Sequence, residues 1–148
     1  PVELESGGGL VQALRTLAAS TEKMFPVSCR FDGPAESGEF GEVASMPPAV
    51  NSDLFRIAQE AISNAVKHGK ATAIQITLGS GAGLGLRIED NGTGFDVGSV
   101  KTPGLGLRTM QYRAARIRAK LAIERGAERG CVVTCTIGAE GRATLLNA

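Results

Sequence analysis

Leu84-Gly-Leu-Arg-Ile-Glu-Asp90-Asn-Gly-Thr-Gly94 is the stretch on which the fold turns. Leu84, Leu86 and Ile88 fall on one face of a period-two run, and Gly85, Arg87 and Glu89 fall on the other, which predicts a strand with one buried face. Asp90 continues the apolar face. A carboxylate there is costly to bury unless something donates hydrogen bonds to it, and the exocyclic amine of a purine would do so. Gly92 and Gly94 let the backbone turn sharply and leave no side chain between it and a flat ligand. Taken alone, the stretch is more economically read as a turn, because Asn-Gly and Asp-Gly steps are common hairpin signals.

The helix upstream shifts that balance. From Asn51 to His68, the residues Leu54, Ile57, Ala58, Ala61, Ile62, Ala65 and Val66 recur at three-and-four spacing and mark one buried stripe. Pro47-Pro48 precedes it, Asn51, Ser52 and Asp53 are candidate caps, and Gly69 stands where the helix should stop. A second stripe carries Glu60, Asn64, Lys67 and His68 along the edge of the buried face. Asn64 offers a neutral oxygen to Mg²⁺, which binds through few protein oxygens plus the nucleotide itself, and Lys67 and His68 could reach phosphate oxygens. On the helix alone, an ordinary solvated face with mixed charges is an equal reading.

Pro103-Gly-Leu-Gly-Leu107 opens a third helical pattern, with Leu105, Leu107, Met110, Tyr112, Ala114, Ala115 and Ile117 on a mixed apolar face. Helix N-termini attract phosphate through unpaired amides and the positive end of the dipole. The small, polar stretch from Asp96 to Thr102 reads as a mobile lid. Gly81-Ala-Gly83-Leu-Gly85 precedes a strand instead of joining a strand to a helix, so it reads as a hairpin turn and not a dinucleotide loop.

In order and spacing, these motifs resemble the GHKL family of ATP-binding domains shared by histidine kinases, type II topoisomerases, Hsp90 and MutL. Leu54-Phe-Arg-Ile-Ala-Gln-Glu-Ala-Ile-Ser-Asn-Ala-Val-Lys-His68 is similar to the family's N box. Asp90-Asn-Gly-Thr-Gly94 matches its first glycine box, and Gly104-Leu-Gly-Leu107 with Met110 and Arg113 matches the second. The resemblance runs from about Leu10 to Ile137 and is narrowest to the catalytic domain of a bacterial two-component sensor histidine kinase. The short lid and the Gln-Glu-Ala run resemble the subclass whose response regulators carry helix-turn-helix output domains.

That resemblance implies a Bergerat fold: an α+β two-layer sandwich with a mixed sheet of about five strands covered on one face by three helices. It implies ATP and Mg²⁺ as ligands, with Asp90 on the adenine amine, Asn64 on the metal and Lys67 and His68 on the phosphates. Gly92, Gly94, Gly104, Leu105, Gly106 and Leu107 would complete the ATP site. Glu60 matches the general base of the hydrolytic relatives and is expected here to polarise or position. Where the family has Gly-Thr on its last strand, with a hydroxyl supporting the acid through water, this chain has Gly130-Cys131. A thiol is a weaker hydrogen-bonding group.

A histidine kinase also needs a phosphoacceptor histidine, and the only histidine here is His68. The domain is therefore expected to bind ATP without phosphorylating itself. Its partners would be its own upstream dimerisation and phosphoacceptor domain and a response regulator. Starting at Pro1, the chain is read as an excised piece: residues 1–9 as linker, 10–137 as the ATP-binding domain, and 138–148 as a frayed tail. A serine kinase of the anti-sigma type and a non-catalytic ATP-binding module are the alternatives on the same fold.

Composition agrees with one cytoplasmic, monomeric domain. The 148 residues suit a single core, with 43% hydrophobic residues and 16 basic against 15 acidic side chains. No run of apolar residues is long enough to span a membrane and no signal peptide is present, although the parent could be anchored elsewhere. One Tyr, no Trp and no recognition motif argue against nucleic-acid binding. Cys131 and Cys135 would lie about 13 Å apart along a strand, too far for a disulfide, so the thiols are expected to be buried and reduced. Between Asp96 and Glu124 stand Lys101, Arg108, Arg113, Arg116, Arg118 and Lys120 with no acid among them. They are read first as a solvated face, and alternatively as a place where Arg108 or Arg113 meets phosphate or an acidic helical surface. The other elements are expected as a helix over Leu10–Lys23, an edge strand over Pro26–Phe31, a loop with a short strand over Glu36–Val43, and hairpins over 73–90 and 120–137.

Overall fold

The computed structural model describes residues 9–33, 46–80, 83–94 and 105–138. Its elements follow in the order α1 (Gly9–Met24), β1 (Ser28–Asp32), α2 (Pro48–Lys67), β2 (Ala73–Ser80), β3 (Gly83–Asp90), α3 (Leu105–Arg116), β4 (Lys120–Arg125) and β5 (Cys131–Gly138). The five strands form one sheet ordered β1-β2-β3-β5-β4. β1 and β2 run parallel and every other pair is antiparallel, so the sheet is mixed and β1 is an edge strand as expected.

Alternation decides which face carries the helices. Ile76 stands opposite Ile88, Ile88 opposite Val133 and Val133 opposite Ile123, which makes an apolar rung across four strands. Leu78, Leu86, Cys135 and Leu121 make the next. Against these rungs pack Leu10 and Leu14 of α1, Leu54, Ile57 and Ala58 of α2, and Met110 and Ala114 of α3, all buried. Truncating one such side chain, Ile88 to Ala, would cost about 2–5 kcal/mol through lost transfer energy and the cavity left behind. On the other face Arg87 and Glu89 form an exposed ion pair. Among the described residues the result is the expected two-layer α+β sandwich, with three helices on one side of a five-stranded sheet.

The expected caps of α2 are corrected. α2 begins at Pro48, with Pro47 as a cap residue that makes no side-chain cap bond. Proline's fixed φ suits the first helical position, where a missing N–H leaves nothing unpaired. Asn51, Ser52 and Asp53 are consequently inside the helix and not caps, and Asn51 and Asp53 are buried. Asp53 accepts from Arg113 Nη1 at 2.9 Å and pairs with Arg116 Nε at 3.4 Å, which ties α2 to α3. Arg113 and Arg116 are thus committed to a carboxylate within the domain and are not free members of a solvated face.

Three free cysteines, Cys29, Cys131 and Cys135, are buried, as expected of the thiols. Burial pushes Cys29 and Cys131 up to about 11 and Cys135 to about 12, so all three stay protonated near neutrality. No helix among the described residues is long and apolar enough to cross a membrane. The expected linker, the loop with a short strand over Glu36–Val43, the lid over Asp96–Thr102 and the tail fall largely or wholly outside the described residues.

Candidate functional site

The inward run of β3 ends one rung beyond Ile88, at Asp90, which stands opposite Ile74. Its neighbour on the far side is the start of β5, at Cys131. There the helical layer leaves the sheet uncovered, and a cavity of about 450 Å³ opens between β3, β5, α2 and the start of α3. That size is in the ordinary range for small-molecule sites.

Asp90 forms the sheet end of the cavity. Gly92 N–H donates to its Oδ1 at 2.8 Å. Burial holds the carboxyl above the usual Asp range; the Gly92 and Cys131 backbone amides pull it down, and the Glu89 charge adds to the rise. A half-buried acid with two amides beneath it has acceptor capacity left toward the cavity. It can take a hydrogen bond from an amine there.

Glu60, Asn64 and His68 line the opposite wall, one helical turn apart on α2. The carboxylate of Glu60 lies against Gly106, so closely that a Cβ at that position would collide with its Oε1. Gly106 and Leu107, in the first turn of α3, also line the cavity. Between the two polar ends the walls are apolar or small: Ile88, Val133 and Met110 on one side, Ala61 and Ala65 on the other. A flat, aromatic ligand fits between such walls, because alanines on the helix leave room that larger residues would fill.

Most of the expected site residues are brought together, and a few are not. Glu60, Asn64, His68, Asp90, Gly94, Gly106, Leu107 and Cys131 all line one cavity. Lys67 is exposed and is absent from the wall. Gly92 is absent from the cavity lining; a Cβ there would lie 2.5 Å from the Gly69 carbonyl oxygen, so the neighbouring backbone already requires glycine at this position. Gly104 and the side chain of Leu105 fall outside the described residues. Reading by polar motif missed Ala61, Ala65, Gly69, Ile88, Met110 and Val133 as wall residues; the small residues four apart at 61, 65 and 69 were the available signal.

A two-layer sandwich that leaves an acid, an amide and apolar walls around one such hollow defines a nucleotide-binding domain. The chain belongs to the family of histidine kinase-, DNA gyrase B- and HSP90-like ATPases, whose sequence model matches residues 49–141, and that family binds ATP. Among curated proteins, it is 36% identical over 118 residues to the sensor histidine kinase LiaS of Bacillus subtilis, covering 79% of this chain and 30% of LiaS. It is 42% identical over 83 residues to the sensor protein VraS of Staphylococcus saprophyticus, covering 55% and 24%. The chain thus spans about a quarter to a third of the length of these relatives. Among solved structures, the histidine kinase domain of the Erythrobacter litoralis EL346 blue-light activated histidine kinase superposes with a TM-score of 0.69 at 17% identity, covering 99% of this chain and 69% of that one. The ATP binding domain of PrrB from Mycobacterium tuberculosis gives 0.64 at 22% identity, covering 86% and 91%. At these identities the structures establish the fold.

Proposed function

We propose that this chain is the ATP-binding catalytic domain of a sensor histidine kinase and that it presents Mg-ATP to a histidine carried on a separate dimerisation domain. The observation that carries the reading is that Asp90 from the sheet and Asn64 from α2 line one cavity. The matched family supports the nucleotide, and the names of the curated relatives support the kinase class.

Each residue has a definite task in that reading. Asp90 accepts from the adenine amine, held from behind by the Gly92 and Cys131 amides. Ile88, Val133 and Met110 cover the base and exclude water from it. Asn64 supplies a neutral carboxamide oxygen, a donor type that suits Mg²⁺ when most of its other ligands are phosphate oxygens and water. Bound there, the metal would neutralise phosphate charge. His68, beside Asn64, faces the same end and can donate to phosphate oxygens. Glu60 packs on Gly106 and keeps α3 at a fixed distance from α2, a positioning task. Transfer to an external imidazole then depends on placement and charge neutralisation, not on a covalent step by this domain. A response regulator would receive the phosphoryl group in turn.

Calorimetric titration with Mg-ATP tests the site. Asp90→Asn should weaken binding by about 1.5–3 kcal/mol, the scale of a hydrogen bond to a charged group, and Asn64→Ala, which removes the carboxamide oxygen without adding charge, should weaken it only when Mg²⁺ is present. Unchanged affinity in both variants contradicts the assignment. Supplied with the dimerisation domain, the kinase reading requires an acid-labile phosphohistidine; an acid-stable phosphoserine on a separate protein would favour the anti-sigma type instead.

A further inference from the structure

Beside Asp90 stands a polar side chain that no step above uses. Asn91 follows the last residue of β3, and its carboxamide makes three hydrogen bonds. Oδ1 accepts from two successive backbone amides, Thr72 N and Ala73 N, each at 2.9 Å. Nδ2 donates to Thr72 Oγ1 at 2.9 Å, and the backbone N–H of Asn91 donates to Ala73 O at 3.2 Å. Four hydrogen bonds therefore fasten one residue to the entry of β2.

The fastening matters because of what lies on either side. The chain from Asp90 to Gly94 leaves the sheet and turns under the base end of the cavity, where an acid at a strand terminus would otherwise fray. Thr93 N–H donates to Gly69 O at 2.7 Å, so a second bond pins the same turn to the segment that leaves α2. Between these two anchors the Gly92 amide is held at the distance that fixes Asp90 Oδ1. The Asn91 clamp is made by a side chain, so a substitution can remove it while leaving the backbone groups in place; Arg129 Nε adds a separate bond to Gly92 O at 3.2 Å.

We infer that Asn91 is a positioning residue for base recognition: by clamping the end of β3 to Thr72 and Ala73 it sets the direction in which the Asp90 carboxylate faces the cavity. The inference rests on the reading that Asp90 accepts from the adenine amine. It makes a demand that a general structural brace does not. Loss of the clamp should remove discrimination at the amine position while leaving phosphate and ribose affinity in place.

The test compares ATP with inosine triphosphate, whose base carries a carbonyl oxygen where adenine carries the amine, by calorimetry on the whole chain. Asp90→Asn measures how much of the ATP preference the carboxylate provides. Asn91→Ala should reduce the ratio of the two affinities at least fivefold, with most of the change in ATP. Thr72→Val keeps both backbone amides and the side-chain volume and removes only the Nδ2 partner. It should lower the ratio by a smaller step, about twofold, and it carries the test by itself should Asn91→Ala fail to fold. A ratio unchanged in Asp90→Asn overturns the assignment of the base site. A ratio that falls in Asp90→Asn yet stays at the wild-type value in the Asn91 and Thr72 variants, with both nucleotides weakened alike, overturns the inference about Asn91 alone.

Discussion

Arg113→Ala probes the join between α2 and α3, and the geometry allows its effect to be graded. The Asp53 side chain is 4% exposed and takes its shorter contact, 2.9 Å, from Arg113, with Arg116 at 3.4 Å. Removing one partner of a buried pair leaves a charge without compensation, which costs about 3–5 kcal/mol when no water can follow. Arg113 is itself 30% exposed, so water reaches the gap and about 2–3 kcal/mol is the better figure. For a domain near this size that is a fall in Tm of roughly 4–12 °C, taking about 2–4 °C per kcal/mol. Arg116 is 50% exposed, so Arg116→Ala should cost less than about 1 kcal/mol. Asp53→Asn removes the buried charge together with the pair and should fall between them, at about 1–2 kcal/mol. Urea unfolding of the three variants and of the Asp53→Asn/Arg113→Ala double variant measures both the order and the coupling. A loss from Arg116→Ala equal to or greater than that from Arg113→Ala, or a double variant whose losses simply add, refutes the reasoning.

Three further outcomes are expected. Cys131 lines the cavity beside Asp90 with a thiol that bonds weakly, so Cys131→Thr should tighten ATP by about 1 kcal/mol, one net hydrogen bond; calorimetry showing no change or a loss counts against it. Gly106→Ala introduces a Cβ where the Glu60 carboxylate lies; the carboxylate can swing away, so thermal stability should change by less than about 1 kcal/mol, offset by helix propensity, while ATP binding weakens, and Glu60→Ala in the same chain should restore it. Burial raises the Asp90 pKa in the folded state, so its charge subtracts stability above that folded value, and the deficit is relieved as pH falls through it toward the unfolded Asp value. The stability of Asp90→Asn relative to the wild type, followed by urea unfolding without nucleotide, should therefore decline as pH is lowered through that window; a gap independent of pH would remove Asp90 as the titrating group.

How far the site can be read from sequence depends on which period carries each residue. Asp90 was legible because the period-two run Leu84, Leu86, Ile88 has only one continuation, and the structure places all four on the inner face. The amide that Cys131 lends to Asp90 was not, since β3 pairs with β5 across an intervening helix and strand, and nothing local specifies that neighbour. On α2 the wall residues Glu60, Ala61, Asn64, Ala65 and His68 fall within an arc of about 140° at 3.6 residues per turn. Lys67 lies about 20° beyond the Glu60 edge on the same wheel, which is why it is exposed and outside the lining although its spacing groups it with His68. Asn51 and Asp53 resembled caps because they follow a Pro-Pro step, yet Pro48 already starts the helix and turns both inward. Asp53 then finds its arginines sixty residues on, a separation that no local pattern spans. Asn51 is fully buried, and among the described residues neither of its amide atoms has a hydrogen-bond partner.

The two ends of the cavity rest on different supports, and this has a consequence that binding data can expose. Asp90 stands on the sheet, held through Gly92, Asn91 and the start of β2. Asn64, His68 and the first turn of α3 stand on helices joined by Asp53 and by the contact of Glu60 with Gly106. A disturbance in one layer reaches the other through the shared apolar wall of Ile88, Met110 and Val133 and through the bond from Thr93 N–H to Gly69 O at the exit of α2, neither of which touches the Asp90 carboxylate itself. Loosening the helices with Arg113→Ala should therefore weaken ATP and inosine triphosphate by the same factor, because the triphosphate is common to both. Loosening the strand end with Asn91→Ala should separate them. If the helix variant also changed the preference for adenine, the two layers would have to act as one rigid body, and the division of the site into a base half and a phosphate half would be wrong.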